Sequence, residues 1–462
     1  MESDGGTVIM EKREEHSFLQ GPIFPALLKF AIPILMALFL QALYGAVDLW
    51  AVGRFCDEAD ISAVSTGSQT MLIITSMITG LSMGTTILLG QRLGEKNYEG
   101  AANVIGSSLW VYLILSVILT TITLAAAPVI AEVMHTPAES YEKTISYIRI
   151  CGGGTIFIVL YNGLTAIFRG MGNSKAPLFF VLIACLVNVV GDLVLICIFD
   201  MGTAGAAIAT IGAQAVSVLL SVWLVCRNGL PFPFSKKNLR LDGKTAKKVI
   251  KLGSPIGLQG MCNEISYLIL IGLVNTLGVT ASAGVGIAER LVMFIVLIPT
   301  SYMSAISAFV AQNIGAGQHQ RAQRSMWVGM STAALLGGIM AYLAFFHGDM
   351  LSSIFVQDQE VIKCAAEFLK ATAIECFILS IAYCFTGYYN GLGKTTFVMA
   401  EGLIAIFLIR TPYAYFASRQ PDPKLFQIGL SAVFAAAFTL VVCIVYYLGW
   451  HTKTEVKEYG QR

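Results

Sequence analysis

Polar residues that could bind a cation lie inside long apolar stretches of the sequence. Asp48 falls within residues 30–53, and Asn188 and Asp192 are spaced i, i+4, so they share one helix face. Ionisable groups are costly among apolar residues and are therefore candidates for function. Carboxylate, amide and hydroxyl oxygens are the ligands that hard cations take, whereas two close carboxylates in a low dielectric can instead hold a proton. The structural alternative is a hydrogen-bonded cluster that only joins helices.

The composition indicates an integral membrane protein that is rich in helices. Of the 462 residues, 56% are hydrophobic and 13% are charged, against about 45–50% and about 25% in ordinary globular proteins. Mean hydropathy is +0.72. These values exclude a soluble multidomain enzyme, a disordered chain and a disulfide scaffold. The net charge of +2, from 30 basic and 28 acidic residues, predicts no nucleic-acid partner.

Apolar stretches long enough to span a bilayer predict twelve transmembrane helices. They cover residues 30–53, 61–89, 104–132, 145–168, 177–199, 204–226, 253–277, 281–310, 325–346, 363–389, 396–417 and 426–450. Most of the 30 basic residues fall in inside loops if the N-terminus is cytoplasmic. We therefore predict a multi-pass protein of the cell membrane with both termini cytoplasmic.

The two halves of the chain contain similar motifs at a nearly constant offset. Gln91-Arg92-Leu93-Gly94 recurs as Gln312-Asn313-Ile314-Gly315, and Arg169-Gly170-Met171-Gly172 recurs as Asn390-Gly391-Leu392-Gly393. This offset predicts parallel repeats, as in two-lobed transporters. The predicted organisation is a tail 1–29, a six-helix bundle 30–226, a basic linker 227–252, a second bundle 253–450 and a tail 451–462.

Pro33 and Pro255 also recur at this offset, early in the first and seventh spans. Each proline removes one backbone hydrogen bond and allows its helix to bend. Two interpretations stay open, a hinge for alternating access and a static kink.

Span length and orientation place five polar residues at one depth of the first bundle. Asp48, Asn188 and Asp192 lie far along spans that start inside, whereas Thr210 and Tyr147 lie near the start of spans that begin outside. We therefore expect these five residues to lie at a common level, in the outer half of the bundle.

The sequence resembles the MATE family, the multidrug and toxic compound extrusion transporters. The resemblance is carried by GAVDLWAVGRF after Pro33, LGQRLGEKN, AIFRGMGNSKAP, NVVGDLVLI, GTAGAAIAT, AQNIGAG and NGLGKTT. It implies an all-α fold of twelve helices in two pseudo-symmetric six-helix bundles that form a V. It also implies export of varied, often cationic organic compounds, driven by Na⁺ or H⁺.

The resemblance also implies roles for particular residues. Cation-site roles fall on Asp48, Asn188, Asp192 and Thr210, with Tyr147 beside them, and Na⁺ is the metal ion that these residues could bind. In the second half Glu264 matches an acidic position of some members, with Gln259, Asn263 and Tyr267 nearby. Those members carry a second acid where this chain has Leu379, and Glu375 lies one helical turn away. Glu264 therefore has three open roles: an ion site, a substrate contact, or pairing with Arg290 or Arg410.

Together these patterns predict a cation-coupled antiporter rather than an enzyme. Its partners would be small organic substrates and membrane lipids, and we expect a monomer without a cofactor. The alternative on the same fold is a flippase for a lipid-linked precursor. Neither a DDxxD-like metal motif nor an HxxxxD-like pair is present to support a membrane transferase.

Overall fold

The computed structural model describes residues 18–459, and parts of the predicted tails 1–29 and 451–462 lie outside this range. The chain from 18 to 459 is built from helices and their connections. The helices are α1 (Ile23–Phe55), α2 (Glu58–Gly94), α3 (Tyr98–Val133), α4 (Tyr141–Gly153), α5 (Thr155–Gly170), α6 (Lys175–Asp192), α7 (Gly202–Asn228), α8 (Gly243–Asn275), α9 (Val279–Ile295), α10 (Leu297–Gly315), α11 (His319–Phe346), α12 (Gly348–Ser353), α13 (Gln359–Gly391), α14 (Thr395–Ile404), α15 (Thr411–Ser418) and α16 (Leu425–Tyr459).

Within the described chain, eleven helical segments are long and apolar enough to cross a membrane, and a bent pair of helices makes a twelfth. The bent pair is the fourth predicted span, in which α4 and α5 meet at an angle of 49°. Large apolar side chains on the helices, such as Val117, Leu186 and Leu219, are more than half exposed. Such a surface suits lipid and would be unfavourable in water.

Side-chain caps set where several helices begin. Asp57 accepts a hydrogen bond from the backbone N–H of Asp60 at the start of α2, and Asn97 does the same for Gly100 in α3. Asp242 accepts from the hydroxyl and the N–H of Thr245, and these donors hold the pKa of Asp242 below its usual value. This cap starts α8 at Gly243, so the helix includes residues that we predicted to belong to the basic linker.

The motifs that repeat in the sequence form equivalent turns at the ends of helices in both halves of the chain. The N–H of Asn97 donates to the carbonyl of Arg92, and the N–H of Gln318 donates to Asn313, 221 residues later. The Gly-x-Gly turns repeat in the same way, because Gly172 and Gly393 have φ angles of 82° and 77°. Glycine suits both positions since a positive φ ends a helix without strain from a Cβ.

The fold divides into two compact units. The first contains the chain up to Gly257 together with Ala308–Arg321, and the second contains Leu258–Ser307 and the chain from Ala322 onward. The end of α10 and the turn after it thus pack with the first unit, although they lie in the second half of the sequence.

Each half of the chain has a π-helical segment in its fifth predicted span. Leu193–Ile198 follows α6 directly, and Ala405–Arg410 lies between α14 and α15. A π segment rotates the residues that follow it to a different side of the helix, and such segments are frequent at functional sites. In both halves a charged residue stands at a boundary of the segment, Asp192 before the first and Arg410 at the end of the second.

An ion-pair cluster ties the beginning of α2 to α4 and α7. Buried Asp60 accepts hydrogen bonds from the N–H and the hydroxyl of Thr203. Lys143 donates to Asp60 at 2.8 Å and to exposed Asp57 at 2.9 Å. Because the Lys143 bonds stabilise the ionised carboxylate of Asp57, its pKa falls to about 2. Each charge in this cluster has a partner, so we assign it a structural role.

Candidate functional site in the first bundle

Three packed helices bring together four of the polar residues singled out in the sequence. Asp48 lies on α1, Asn188 and Asp192 share one face of α6, and Thr210 lies on α7. The helix α6 packs along both α1 and α7. The Thr210 hydroxyl donates to Asp48 Oδ2 at 3.3 Å, and Asp48 also interacts with Asn188 and Asp192.

The oxygens of this cluster are buried and mostly without donors. Asn188 and Asp192 are 0% exposed, and Asp48 is 8% exposed. Oδ1 of Asp48 and both carboxylate oxygens of Asp192 find no hydrogen-bond donor among the residues that the structure describes. The side-chain oxygen of Asn188 is also without a donor in this part of the chain. Buried polar atoms are nearly always paired, so this group of acceptors requires an explanation.

Two carboxylates so close together cannot both stay ionised in a low dielectric without a compensating charge. A proton on one of them would allow Asp48 and Asp192 to share a hydrogen bond. A small hard cation would satisfy the same oxygens, together with the amide oxygen of Asn188 and the hydroxyl of Thr210. The donor set therefore fits Na⁺ and H⁺ alike.

Tyr147 lies next to this cluster and is held by α2. Its hydroxyl forms a hydrogen bond with the Ser68 hydroxyl at 3.1 Å, and it interacts electrostatically with Asp48. A Cβ at Gly67 would collide with the Tyr147 ring, so this glycine makes room for the side chain.

Further polar residues line the same face of α1, and the sequence analysis missed them. Gln41, Tyr44 and Asp48 are spaced i, i+3 and i+7. Gln41 donates to the Tyr161 hydroxyl at 2.9 Å, and Gln214 donates to the Tyr44 hydroxyl at 3.4 Å. Helical spacing of polar residues within an apolar span was the signal that could have identified them.

The second-half candidates lie in the second compact unit, apart from Pro255. Asn263 Oδ1 accepts a hydrogen bond from Arg410 at 3.2 Å, and the guanidinium stacks on the ring of Tyr267. Gln259 packs against Gly402, where a Cβ would collide with its amide. Glu264, on the same helix, interacts electrostatically with Tyr383. Pro33 and Pro255 both lie within continuous helices, α1 and α8.

A family model matches both halves of the chain. The MatE model matches residues 33–194 and residues 255–416. The second match begins 222 residues after the first (255 minus 33), which is the offset between Pro33 and Pro255. The chain therefore belongs to the MatE family of membrane transporters.

Relatives and solved structures agree with this assignment. The chain is 25% identical to "Probable multidrug resistance protein YoeA" of Bacillus subtilis, over 96% of each chain. It is 24% identical to "Multidrug export protein MepA" of Staphylococcus aureus, over 86% of this chain and 89% of that protein. The fold matches a crystallised MATE protein with a TM-score of 0.88 at 19% identity, over 97% of this chain and 99% of that one. A MOP superfamily transporter from Pyrococcus furiosus also gives 0.88 at 19% identity, over 95% and 98%.

Proposed function

We propose that the protein exports small organic compounds in exchange for an inward-moving cation, with Asp48 and Asp192 as the coupling site. Asn188 and Thr210 would complete the oxygen ligands, and Tyr147 would border them. The observation that carries the proposal is the group of buried, unpartnered oxygens shared by α1 and α6. Efflux of drugs is supported by the relatives, which are named as multidrug resistance and multidrug export proteins.

Either Na⁺ or H⁺ satisfies the chemistry of this site. Binding of the ion must favour the state that releases the drug, because coupling between two ligands requires different affinities in two conformations. The carboxylates carry the charge that changes when the ion binds. Asn188 and Thr210 orient them and provide neutral oxygens.

Export itself can be tested in cells that lack other exporters. Expression of the protein should lower the accumulation of a fluorescent lipophilic cation. The same level of Asp48→Asn should leave accumulation as in cells without the protein. Equal accumulation with and without the wild-type protein, for neutral and cationic dyes alike, would contradict the proposed export.

We propose that alternating access acts through a closely packed contact within the first compact unit. A Cβ at Gly94 would collide with the carbonyl oxygen of Gln312, and a Cβ at Gly315 would collide with that of Gln91. The two copies of the repeated motif thus contact each other reciprocally. We name this contact, together with Gly80 against Gly257 and Gly84 against Gly253, the glycine seam. In the alternate state the seam would open, and Pro33 and Pro255 are the candidate hinges.

Residues just before α1 add contacts within the first compact unit, including contacts to α10, one of the helices that form the glycine seam. Arg321 donates to the backbone carbonyls of Phe18 and Gly21, each at 2.8 Å. The Phe18 ring is 3% exposed and packs between Phe30 and Phe309, with both ring-centre distances at 4.9 Å. Opening of the seam would require these contacts to break or to move as one body.

Substitutions in the glycine seam should destabilise the protein. Gly94→Ala and Gly315→Ala each add a methyl group where backbone stands, and overpacking of this kind costs about 1–3 kcal/mol. Gly272→Ala is the matched control, because nothing lies within 4 Å of its Cβ position. We expect a lower Tm for both seam variants and little change for the control. A wild-type Tm and wild-type export in both seam variants would contradict the packing.

The predicted orientation places the segment between α7 and α8 in the cytoplasm. A single cysteine at Asp422 should therefore react with a membrane-impermeant reagent in intact cells, and one at Ser235 should react only after the cells are opened. The background should lack Cys197 and Cys226, the exposed native cysteines. Labelling at both positions in intact cells would contradict the predicted orientation, including the cytoplasmic termini.

The substrate class proposed is small organic compounds, often cationic, handled by a monomer surrounded by lipid. Glu264, Asn263, Gln259 and Tyr267 are the candidate substrate contacts of the second half. Nothing in the matches above supports the flipping of a lipid-linked precursor, and we do not propose it.

A further inference from the structure

A buried guanidinium lies in the second compact unit, at the end of the π segment. Arg410 is 4% exposed. Its Nη1 donates to Asn263 Oδ1 at 3.2 Å, and its guanidinium carbon lies 3.9 Å from the ring centre of Tyr267. A buried charge is tolerated only where neighbouring groups stabilise it. One amide oxygen and one aromatic face do not neutralise a full positive charge.

Two acidic residues provide the opposite charge. Glu375 on α13 and Glu289 on α9 both interact electrostatically with Arg410. Glu375 is 7% exposed. Nε and Nη2 of Arg410 and Oε1 of Glu289 have no hydrogen-bond partner among the described residues. The two glutamates therefore attract Arg410 over a longer distance than in a direct ion pair. This attraction stays strong because the buried surroundings have a low dielectric constant.

The fifth spans of the two halves thus present opposite charges at their π segments. In the first half Asp192 precedes Leu193–Ile198, and among the residues that the structure describes the charged group that interacts with it is another carboxylate, that of Asp48. In the second half Arg410 ends Ala405–Arg410 among acidic residues. The first bundle needs a mobile cation to balance its charge, whereas the second carries a cation of its own.

We infer that Arg410 acts as a tethered cation beside Glu375 and Glu289, in the place that a coupling ion would take, so that the second half takes up no coupling ion. The inference rests on the proposed function, in which the ion binds at Asp48 and Asp192. Arg410 is a positioning residue, because it changes the net charge around Glu375 and Glu289 without contacting the coupling ion. The other titratable groups around it are Tyr267 and Tyr383, and Glu264 faces Tyr383.

The test compares ion-dependent stability of purified variants. A ligand that binds only the folded state raises Tm, so the shift on adding Na⁺, or on lowering pH, reports binding. In Asp48→Asn this shift should vanish, because the first-half site is lost. In Asp48→Asn/Arg410→Met a shift of roughly 2 °C or more should return at saturating ion. Adding Glu289→Gln and Glu375→Gln to that variant should remove the shift again.

Arg410→Lys in the Asp48→Asn background is the matched control, since it keeps the charge. It should show no ion-dependent shift. A shift with lysine equal to that with methionine would contradict the inference. So would a folded Asp48→Asn/Arg410→Met protein without any shift. A shift in Asp48→Asn alone that Glu289→Gln and Glu375→Gln remove would contradict the inference, whereas a shift that survives those two changes would contradict the proposed coupling site.

A second comparison applies if Arg410→Met does not fold. Removing the acidic partners as well, in Arg410→Met/Glu289→Gln/Glu375→Gln, leaves no uncompensated charge. The inference predicts that this variant recovers monodisperse, folded protein. Failure of both variants to fold would assign Arg410 to packing rather than to charge compensation.

Discussion

Asp48→Asn is expected to abolish gradient-driven export while the protein still inserts and folds. The asparagine keeps the shape of the side chain, and a neutral amide is easier to bury than a carboxylate. The asparagine at position 48 carries no charge for the ion to balance. Binding of the ion therefore no longer favours one conformation over the other. We therefore expect export by Asp48→Asn to fall to the level of vesicles without the protein. Initial rates in vesicles at matched protein levels measure it.

The control for Asp48→Asn is Asp57→Asn, which removes a carboxylate close along the chain. Asp57 is exposed, and Lys143 would still pair with Asp60 after the change, so little stability should be lost because exposed ion pairs are weak. Export by Asp57→Asn should therefore stay near the wild-type rate. Equal loss in both variants would indicate a general effect of negative charge.

Asp192→Asn should have an effect as large as that of Asp48→Asn. The two carboxylates interact and share one set of unpartnered oxygens. If they bind one ion together, the double variant should be no worse than either single variant, because residues that act as a unit are not additive. A double-mutant cycle on export rate and on ion-dependent Tm measures this coupling.

Additive losses in that cycle would contradict a shared site. Asn188→Ala is a useful third variant, because it removes a neutral oxygen and leaves both charges in place. It should weaken ion affinity and leave maximal export at saturating ion largely unchanged. Complete loss of coupling in Asn188→Ala alone would give the amide a larger role than the account allows.

The sequence predicted the spans and the first-bundle cluster because both depend on simple lengths. Apolar runs of about 20 residues must cross the bilayer, and helical rise then places Asp48 and Asp192 at a common depth. The i, i+4 spacing of Asn188 and Asp192 put them on one face, and the structure keeps that face toward α1. These features follow from local geometry alone.

Other features depend on packing that no single span reveals. The fourth span was predicted as one helix, but it breaks at Gly154, where a Cβ would collide with the side chain of Ile211 of α7. The π segment that ends at Arg410 rotates the residues that follow it, and the spacing of apolar residues in the sequence does not reveal this rotation. The sequence named Arg410 only as a possible partner of Glu264, and its contacts with Asn263 and Tyr267 are seen in the structure.

We propose that the Asp48 and Asp192 site couples export to a cation gradient. Transport of a lipophilic cation by reconstituted proteoliposomes, with a Na⁺ gradient and a H⁺ gradient imposed separately, tests this coupling. Wild-type protein should respond to at least one gradient, and Asp48→Asn should respond to neither while still binding substrate. Wild-type rates and gradient dependence in Asp48→Asn would contradict the account.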